Sequence, residues 1–222
     1  MSKMLDAIEI GPDGEIHASL IWLHGLGADG RDFVPIVPQL GLSGASVRFV
    51  FPHAPVRPVT INGGYRMRAW YDIRWSDLRR DVDAPGIVQS VGEVQELIER
   101  EIALGIPANK VLLAGFSQGG VIALHAGLTR SPPLGGILAL SCYLALPAML
   151  DSDASAASRD TPIFMAHGSE DPVVPLELGE AARDCLISSG YGVDFRRYAM
   201  PHSVCAQEVF DIRAWLQARL TP

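Results

Sequence analysis

The segment VLLAGFSQGGVIAL, residues 111–124, constrains the fold of this chain more than any other stretch. It opens with a short apolar run typical of a buried strand and closes with an apolar run typical of a helix. Gly115 and Gly119 flank Ser117 and leave room for a strand and a helix to approach closely. The pattern predicts a sharp turn that exposes the Ser117 hydroxyl at the helix N-terminus. A glycine-rich turn without chemistry is the alternative interpretation of this motif alone.

The same alternation of short apolar runs and amphipathic segments continues along the chain and predicts βαβ units. The predicted strands are 17–23, 47–51, 111–116, 136–140, 163–166 and 194–198, with an antiparallel edge strand at 7–10. The predicted helices are 31–39, 86–104, 118–128, 176–189 and 204–220. Most of the strands are apolar on both faces, which indicates a mainly parallel sheet covered by helices on both sides. We therefore expect an α/β fold with one domain spanning residues 1–222.

Two segments fit neither pattern. Residues 53–85 form a long stretch rich in aromatic residues and arginines, and a loop of this length in a compact domain is usually functional or mobile. We expect it to be a lid or a wall of a binding site. Residues 151–160 are small and polar, which predicts an exposed connector.

Composition excludes several classes of protein. The net charge is −7 and no basic cluster offsets it, which argues against nucleic acid as a partner. No apolar run approaches the roughly 20 residues that cross a bilayer, and the N-terminus lacks a signal-like apolar region. We expect a soluble, cytoplasmic protein without an integral membrane segment. The 3 cysteines have no Cys-x-x-Cys spacing, so we expect free thiols and no metal site.

A nucleophilic serine needs a base and a carboxylate that orients the base. Asp171 follows the strand predicted at 163–166, and His202 follows the strand predicted at 194–198. Both would lie at the carboxyl edge of a parallel sheet, beside Ser117, where ligands bind in such folds. Glu170 is the alternative acid, although the loop around Pro172 favours Asp171. The histidines His17, His53, His125 and His167 suit structural or positional roles better.

Acyl transfer also needs hydrogen-bond donors directed at the oxyanion. One should be the backbone N–H of Gln118, directly after the serine. The second should come from the loop His-Gly-Leu-Gly that follows the strand at 17–23, and we expect the N–H of Leu26, with Gly25 or Gly27 as alternatives. A glycine-rich turn of no catalytic value is the other interpretation of this loop.

The same loop reads GLGADG and so matches a dinucleotide-binding fingerprint. The next strand ends in Pro52 and His53, however, with no acidic residue placed for a ribose hydroxyl. A nicotinamide-dependent oxidoreductase is therefore a weak alternative. A binding module without catalysis is a third hypothesis, but it would require a broken triad.

Seven segments, distributed over nearly the whole chain, resemble the bacterial carboxylesterase and acyl-protein thioesterase family of α/β-hydrolases. They are IWLHGLGADGRDF, FPHAPVRPVTINGGYRMRAWYDI, GI at 86–87, AGFSQGGVIAL, GGILALS, HGSEDPVVP and HSVCAQEVFDIRAWL. The resemblance implies hydrolysis of esters or thioesters without a cofactor, a Ser117–His202–Asp171 triad, and oxyanion donors at Leu26 and Gln118. It also implies a small-molecule or acyl ester as substrate, with lysophospholipids among the candidates, and members of the family are often homodimers.

The chain departs from the family pattern at two places. Pro201 stands where many members have glycine before the histidine, and residues 75–83 match least. For the acyl site itself we expect side chains from loops near the carboxyl edge of the sheet. These are Leu26, Trp70, Ile73, Leu144 and Val174.

Overall fold

The computed structural model describes residues 4–42, 44–152 and 156–220, with a seven-stranded sheet at its centre. The strands of this sheet and of a separate hairpin are β1 (Ala7–Ile10), β2 (Ala18–Leu23), β3 (Val47–Pro52), β4 (Val56–Val59), β5 (Tyr65–Arg68), β6 (Val111–Phe116), β7 (Gly136–Leu140), β8 (Ile163–Gly168) and β9 (Val193–Tyr198). The order in the sheet is β1-β3-β2-β6-β7-β8-β9, and β4 pairs with β5. β1 is antiparallel to β3, and the other neighbouring pairs in the sheet are parallel. The predicted α/β fold with a mainly parallel sheet is confirmed.

Helices cover both faces of this sheet. They are α1 (Ala84–Ala103), α2 (Gln118–Leu128), α3 (Ala148–Ser152), α4 (Leu176–Ser188) and α5 (Ala206–Leu220). One apolar core contains residues of α1, α2 and α4, and a second core on the opposite face contains residues of α5. Strand β2 shows how the sheet separates the two cores, because Ile21 and Leu23 enter the first and Leu20 and Trp22 the second. In the described part of the chain, no helix combines the length and the apolar character needed to cross a bilayer.

The helical segment predicted at 31–39 is a 3₁₀ helix rather than an α-helix. The chain forms turns up to Phe33 and then a 3₁₀ helix over Val34–Leu40. Pro35 and Pro38 lack backbone N–H groups, so a regular α-helical ladder cannot form across them. Ile36 and Leu40 nevertheless pack into the second core, which explains the amphipathic pattern.

The exposed connector predicted at 151–160 is wrong in part. The end of α3 and a 3₁₀ helix over Ala156–Asp160 occupy it, and residues 153–155 lie outside the described residues. Ser158 is buried and its hydroxyl lies 3.0 Å from the hydroxyl of Tyr191. The described part of this short polar segment therefore has regular structure and a buried side chain, and it is not an exposed linker throughout.

The segment 53–85 contains more regular structure than a loop. It includes the hairpin β4–β5, a 3₁₀ helix over Thr60–Asn62, and the start of α1. The carboxylate of Asp72 accepts hydrogen bonds from the backbone and the hydroxyl of Thr60, at 2.7 and 2.6 Å. This segment and the loops after β2, β6, β8 and β9 carry the candidate site.

Candidate active site

Ser117 occupies a strained turn between β6 and α2. Its backbone has φ 55° and ψ −121°, a conformation that residues with a side chain rarely adopt. The Ser117 N–H donates to the carbonyl of Leu140, at 2.9 Å, which ties the turn to the neighbouring strand. A Cβ on Gly115 would overlap the carbonyl oxygen of Gly119, and a Cβ on Gly119 would overlap that of Leu23. The two glycines therefore allow the helix to begin directly against the end of the sheet.

Asp171 is held in a fixed orientation after β8. Its side chain is fully buried, and one carboxylate oxygen accepts the N–H groups of Val173 and Val174, at 2.8 and 2.9 Å. The other oxygen lies 2.6 Å from Nδ1 of His202. Because a carboxylate oxygen accepts hydrogen bonds, this contact places the His202 proton on Nδ1 and leaves Nε2 free to take up another proton.

The structure brings Asp171, rather than Glu170, to His202. Glu170 is exposed, and its backbone N–H donates to the carbonyl of Met200. The ring of His202 also packs against the ring of Phe116, with centroids 4.7 Å apart. The imidazole is thus held between the acid and the residue that precedes Ser117. Pro201, the departure noted in the sequence, does not prevent this arrangement.

His167 supports the turn that presents Asp171. Its Nε2 lies 2.8 Å from the carbonyl of Val174 and 3.6 Å from the second carboxylate oxygen of Asp171. Burial lowers the pKa of His167 and favours the neutral ring. The positional role expected from the sequence agrees with this contact.

A cavity of about 290 Å³ opens beside these groups. Its lining residues are Gly25, Leu26, Ala28, Asp32, Tyr71, Ile73, Leu78, Phe116, Ser117, Gln118, Tyr143, Val173, Val174 and His202. Most of these side chains are apolar or aromatic, as expected for a site that holds an acyl chain. Of the predicted acyl-site residues, Leu26, Ile73 and Val174 line this cavity.

Trp70 and Leu144 do not line this cavity, and their assignment to the acyl site stays a prediction. Trp70 is fully buried, and its indole N–H donates to the carbonyl of His24, at 2.9 Å. Leu144 lines a different cavity, together with Leu178 and Cys185. Tyr71 and Tyr143 line the cavity beside Ser117 instead, and their hydroxyls lie 3.2 Å apart. The sequence contains no signal for this tyrosine pair, because it depends on how two distant loops meet.

Two residues that line this cavity, Leu26 and Gln118, have backbone N–H groups without a partner in the described part of the chain. Gln118 is the first residue of α2, where backbone N–H groups are left unpaired by the helix itself. The helix dipole adds partial positive charge at this point. Both donors are therefore available to a developing negative charge.

The glycine-rich loop does not have the geometry of a dinucleotide site. No α-helix begins directly after GLGADG, since turns and then the 3₁₀ helix Val34–Leu40 follow it. Gly30 packs against the end of β3, and its N–H donates to Nδ1 of His53, at 3.0 Å. A pyrophosphate would lack the helix N-terminus that binds it in such folds. In residues 4–42, 44–152 and 156–220, no three His, Cys, Asp or Glu side chains are placed to hold a metal ion.

The strand order, the strained serine turn and the His202–Asp171 pair define an α/β-hydrolase. The sequence matches the phospholipase/carboxylesterase family profile over residues 6–220. The chain belongs to the phospholipase/carboxylesterase family and is an ester hydrolase.

Similar proteins cover the chain almost from end to end. An acyl-protein thioesterase 1 of Cryptococcus neoformans is 36% identical over 237 residues, which cover 99% of this chain and 100% of the relative. An acyl-protein thioesterase 1 of Neurospora crassa is 42% identical over 213 residues, which cover 91% of this chain and 87% of the relative. The crystal structure of Arabidopsis thaliana SOBER1 superposes with a TM-score of 0.87 at 33% identity, over 92% of this chain and 99% of the other. Esterase PE8 superposes with a TM-score of 0.84 at 26% identity, over 98% and 100%.

Proposed function

We propose that this chain is a serine hydrolase that cleaves acyl esters and acyl thioesters with Ser117, His202 and Asp171 as its triad. The observation that carries the proposal is the 2.6 Å contact between Asp171 and Nδ1 of His202, beside a cavity that Ser117 also lines. The strained backbone of Ser117 adds support, because such strain concentrates at functional sites.

In the first half of the reaction, Nε2 of His202 takes the proton of the Ser117 hydroxyl while the oxygen attacks the substrate carbonyl. The backbone N–H groups of Leu26 and Gln118 stabilise the oxyanion that forms. The bond from the carbonyl carbon to the leaving oxygen or sulfur then breaks. His202 returns its proton to that alcohol or thiol, and the acyl group remains on Ser117.

In the second half, water loses a proton to His202 and attacks the acyl-enzyme. The carbonyl carbon releases the Ser117 oxygen, which recovers the proton from His202, and a carboxylic acid leaves. Asp171 accepts the hydrogen bond from Nδ1 throughout and stabilises the positively charged imidazole. The chemistry requires neither a metal nor an organic cofactor.

The acyl chain would lie along the apolar wall formed by Leu26, Ile73 and Val174. We extend the proposal to thioesters because the relatives at 36% and 42% identity are named acyl-protein thioesterases. The segment 53–85 supplies Tyr71, Ile73 and Leu78 to the lining, so we propose that it acts as the wall of the acyl site.

Labelling by a fluorophosphonate probe, followed by intact mass, tests the proposed nucleophile. We expect one adduct on the wild type and on Ser169→Ala, and none on Ser117→Ala. Ser169 is the matched control because it is an exposed serine two residues before Asp171. Labelling of Ser117→Ala, or no labelling of the folded wild type, would overturn the proposal.

Hydrolysis of matched butyryl esters and butyryl thioesters tests the proposed substrate class. The ester and the thioester form the same butyryl-enzyme. If hydrolysis of this intermediate limits turnover, both substrates have the same kcat and differ only in KM, and this result would support the proposal. Turnover of the ester alone would overturn the extension to thioesters while leaving the triad intact.

A further inference from the structure

His24 follows β2 directly and makes a hydrogen bond through each ring nitrogen. The residue is 1% exposed. Its Nε2 lies 3.0 Å from the backbone nitrogen of Ala54, and its Nδ1 lies 2.7 Å from the carbonyl oxygen of Gly25. A backbone N–H can only donate and a carbonyl can only accept. The contacts are therefore satisfied together only when Nε2 is bare and Nδ1 carries the proton.

The surroundings of His24 favour this neutral form. Burial lowers the pKa of His24 to about 4, because the charged ring would lose its hydration. A second proton on Nε2 would also point at the N–H of Ala54. At neutral pH the ring is thus a fixed donor to Gly25.

Two donors hold the carbonyl of Gly25, the ring of His24 at 2.7 Å and, at the longer distance of 3.3 Å, the N–H of Ala28. The shorter contact, with His24, bears on where the next N–H points. The carbonyl of Gly25 and the N–H of Leu26 belong to one planar trans peptide, in which they point in opposite directions. A carbonyl held against the His24 ring therefore directs the N–H of Leu26 away from that ring. Gly25 lies against the elbow, since a Cβ placed on it would be 3.6 Å from Cβ of Ser117. Leu26 lines the same cavity as Ser117, and its N–H has no acceptor within the described chain.

Trp70 connects this loop to the second donor. Its indole N–H donates to the carbonyl of His24, at 2.9 Å, and its backbone N–H donates to the side-chain oxygen of Gln118, at 3.1 Å. The Gln118 amide in turn donates to the carbonyl of Tyr71, at 2.8 Å. The loop that carries Leu26 and the start of α2 are thus held to the same buried residue. This arrangement fixes the two backbone donors relative to each other.

We propose that His24 is a positioning residue that holds the Gly25–Leu26 peptide so that the N–H of Leu26 is directed at the oxyanion formed on Ser117. This inference rests on the proposed function, because it assigns a role within the same acyl transfer. His24 itself touches neither the substrate nor the reacting atoms. It acts before the reaction, by keeping a donor in place that would otherwise have to be reoriented as charge develops.

Two substitutions separate the two hydrogen bonds of His24. In His24→Asn the amide nitrogen can take the place of Nδ1 and still donate to Gly25. In His24→Gln the amide oxygen can take the place of Nε2 and still accept from Ala54. We expect kcat of His24→Gln to fall about 10- to 100-fold with KM little changed, because loss of an oxyanion donor affects mainly the transition state. His24→Asn should keep kcat within about threefold of the wild type.

His125→Gln is the matched control. His125 is also fully buried, its pKa is also lowered to about 4 by burial, and its Nε2 accepts the N–H of Leu146, at 3.3 Å. It lies in α2 and makes no hydrogen bond to the Gly25 loop. If His24 served only stability, the three variants would lose thermal stability and none would lose kcat selectively, which would overturn the inference.

An inhibitor measurement adds a second readout. A trifluoromethyl ketone forms a hemiketal oxyanion on the serine, so its Ki should rise in His24→Gln in proportion to the fall in kcat/KM. An unchanged Ki would contradict the inference. Histidine ¹⁵N NMR of the wild type provides a test without any variant, since the Nε2–H tautomer at His24 would also contradict it.

These results can be told apart from failure of the proposed function. If Ser117→Ala keeps full activity, the proposed function fails whatever the His24 variants do. If Ser117→Ala is inactive and His24→Gln keeps the wild-type kcat and Ki, the triad stands and the role of His24 alone is wrong.

Discussion

At the scale of single residues, the turn at Ser117 depends on close backbone packing. A side-chain residue at positive φ costs roughly 1–3 kcal/mol and persists only when its surroundings hold it. Gly119 provides that constraint, because its Cα faces the carbonyl oxygens of Leu23 and His24 at the end of β2. The serine hydroxyl is thus positioned by the contact between α2 and β2.

Gly119→Ala should disrupt this contact. The new methyl group would overlap two carbonyl oxygens, so we expect a loss of about 1–3 kcal/mol in the free energy of unfolding. Because the elbow would have to shift, kcat should fall about 100-fold or more. Urea unfolding and ester hydrolysis measure the two effects.

Gly92→Ala is the control for this substitution. Gly92 lies within α1, and a Cβ there would meet no heavy atom within 4 Å beyond its chain neighbours and the adjacent backbone of the helix. The change should raise stability by about 0.5–1 kcal/mol and leave kcat unaltered, since alanine favours the helix over glycine. Full activity in Gly119→Ala would show that the elbow does not depend on this contact.

The sequence was informative about some of these residues and silent about others for a physical reason. Ser117, Asp171 and His202 each follow a strand of a parallel sheet, so chain order alone predicts that they meet at one edge. Trp70 lies in an irregular segment where no periodicity sets the direction of a side chain, and it points into the interior instead of the cavity. The role of His24 depends on a contact to a backbone carbonyl, which leaves no signature in a sequence.

At the scale of elements, Gln118 joins α2 to the segment 53–85. Its side chain is 2% exposed and bonds to the N–H of Trp70 and the carbonyl of Tyr71. Tyr71 and, two residues further along, Ile73 line the cavity next to Gln118, the first residue of the helix. Gln118 thus contributes a backbone N–H to the proposed oxyanion site and a side chain to the acyl wall.

Gln118→Met should separate these two contributions. The variant keeps the backbone N–H but leaves two buried backbone groups unpaired, which costs about 1–3 kcal/mol for each group. We expect lower stability and a raised KM for long acyl chains, because the wall is no longer tied to α2. Steady-state kinetics on p-nitrophenyl esters from acetate to long chains would measure the change.

Gln89→Met is the matched control, since Gln89 is exposed on α1 and its side-chain amide donates to Glu93, at 2.9 Å. Its stability should change by no more than about 0.5 kcal/mol. Equal effects in the two variants would mean that the buried tether has no special role.

The elements themselves were predictable where periodicity and chain breaks agree. Strands β6 and β7 and helix α2 have the predicted boundaries, because apolar runs and glycines mark both ends. The 3₁₀ helix Val34–Leu40 was predicted as a helical segment without its type, since its apolar spacing fits both types and only its prolines distinguish them. The hairpin β4–β5 was predicted as a loop because its strands are only four residues long and carry Arg57, Arg66 and Arg68.

At the scale of the whole molecule, burial of ionisable groups couples stability to pH in two directions. Burial lowers the pKa of His24 and of His125 from 6.5 to about 4. It raises the pKa of Glu208, on α5, from 4.5 to about 8. Each group is neutral in the folded protein over a range in which it would be charged in the unfolded chain. The histidines therefore lower the free energy of unfolding on the acid side, and Glu208 lowers it on the alkaline side.

The sign of each contribution follows from proton binding. Between the folded pKa of about 4 and the unfolded value of 6.5, the unfolded chain binds more protons at the two histidines, so their contribution falls as the pH falls. Between 4.5 and about 8, the unfolded chain binds fewer protons at Glu208, so its contribution falls as the pH rises. Burial lowers the pKa of His167 and of His53 as well, so the histidines together outweigh the one carboxylate and leave a net uptake of protons on the acid side.

We therefore expect the free energy of unfolding to be greatest near pH 6.5 and to fall on both sides, with each proton of difference contributing about 1.4 kcal/mol per pH unit. Urea unfolding of the wild type between pH 5 and pH 8.5 would measure the curve. His125→Gln should make the acid side less steep, because it removes one of the histidines that take up a proton on unfolding. Glu208→Gln should flatten the alkaline side and steepen the acid side, where the carboxylate no longer opposes the histidines. A flat wild-type curve, or one that both substitutions leave unchanged, would show that these buried groups do not govern the pH dependence of folding.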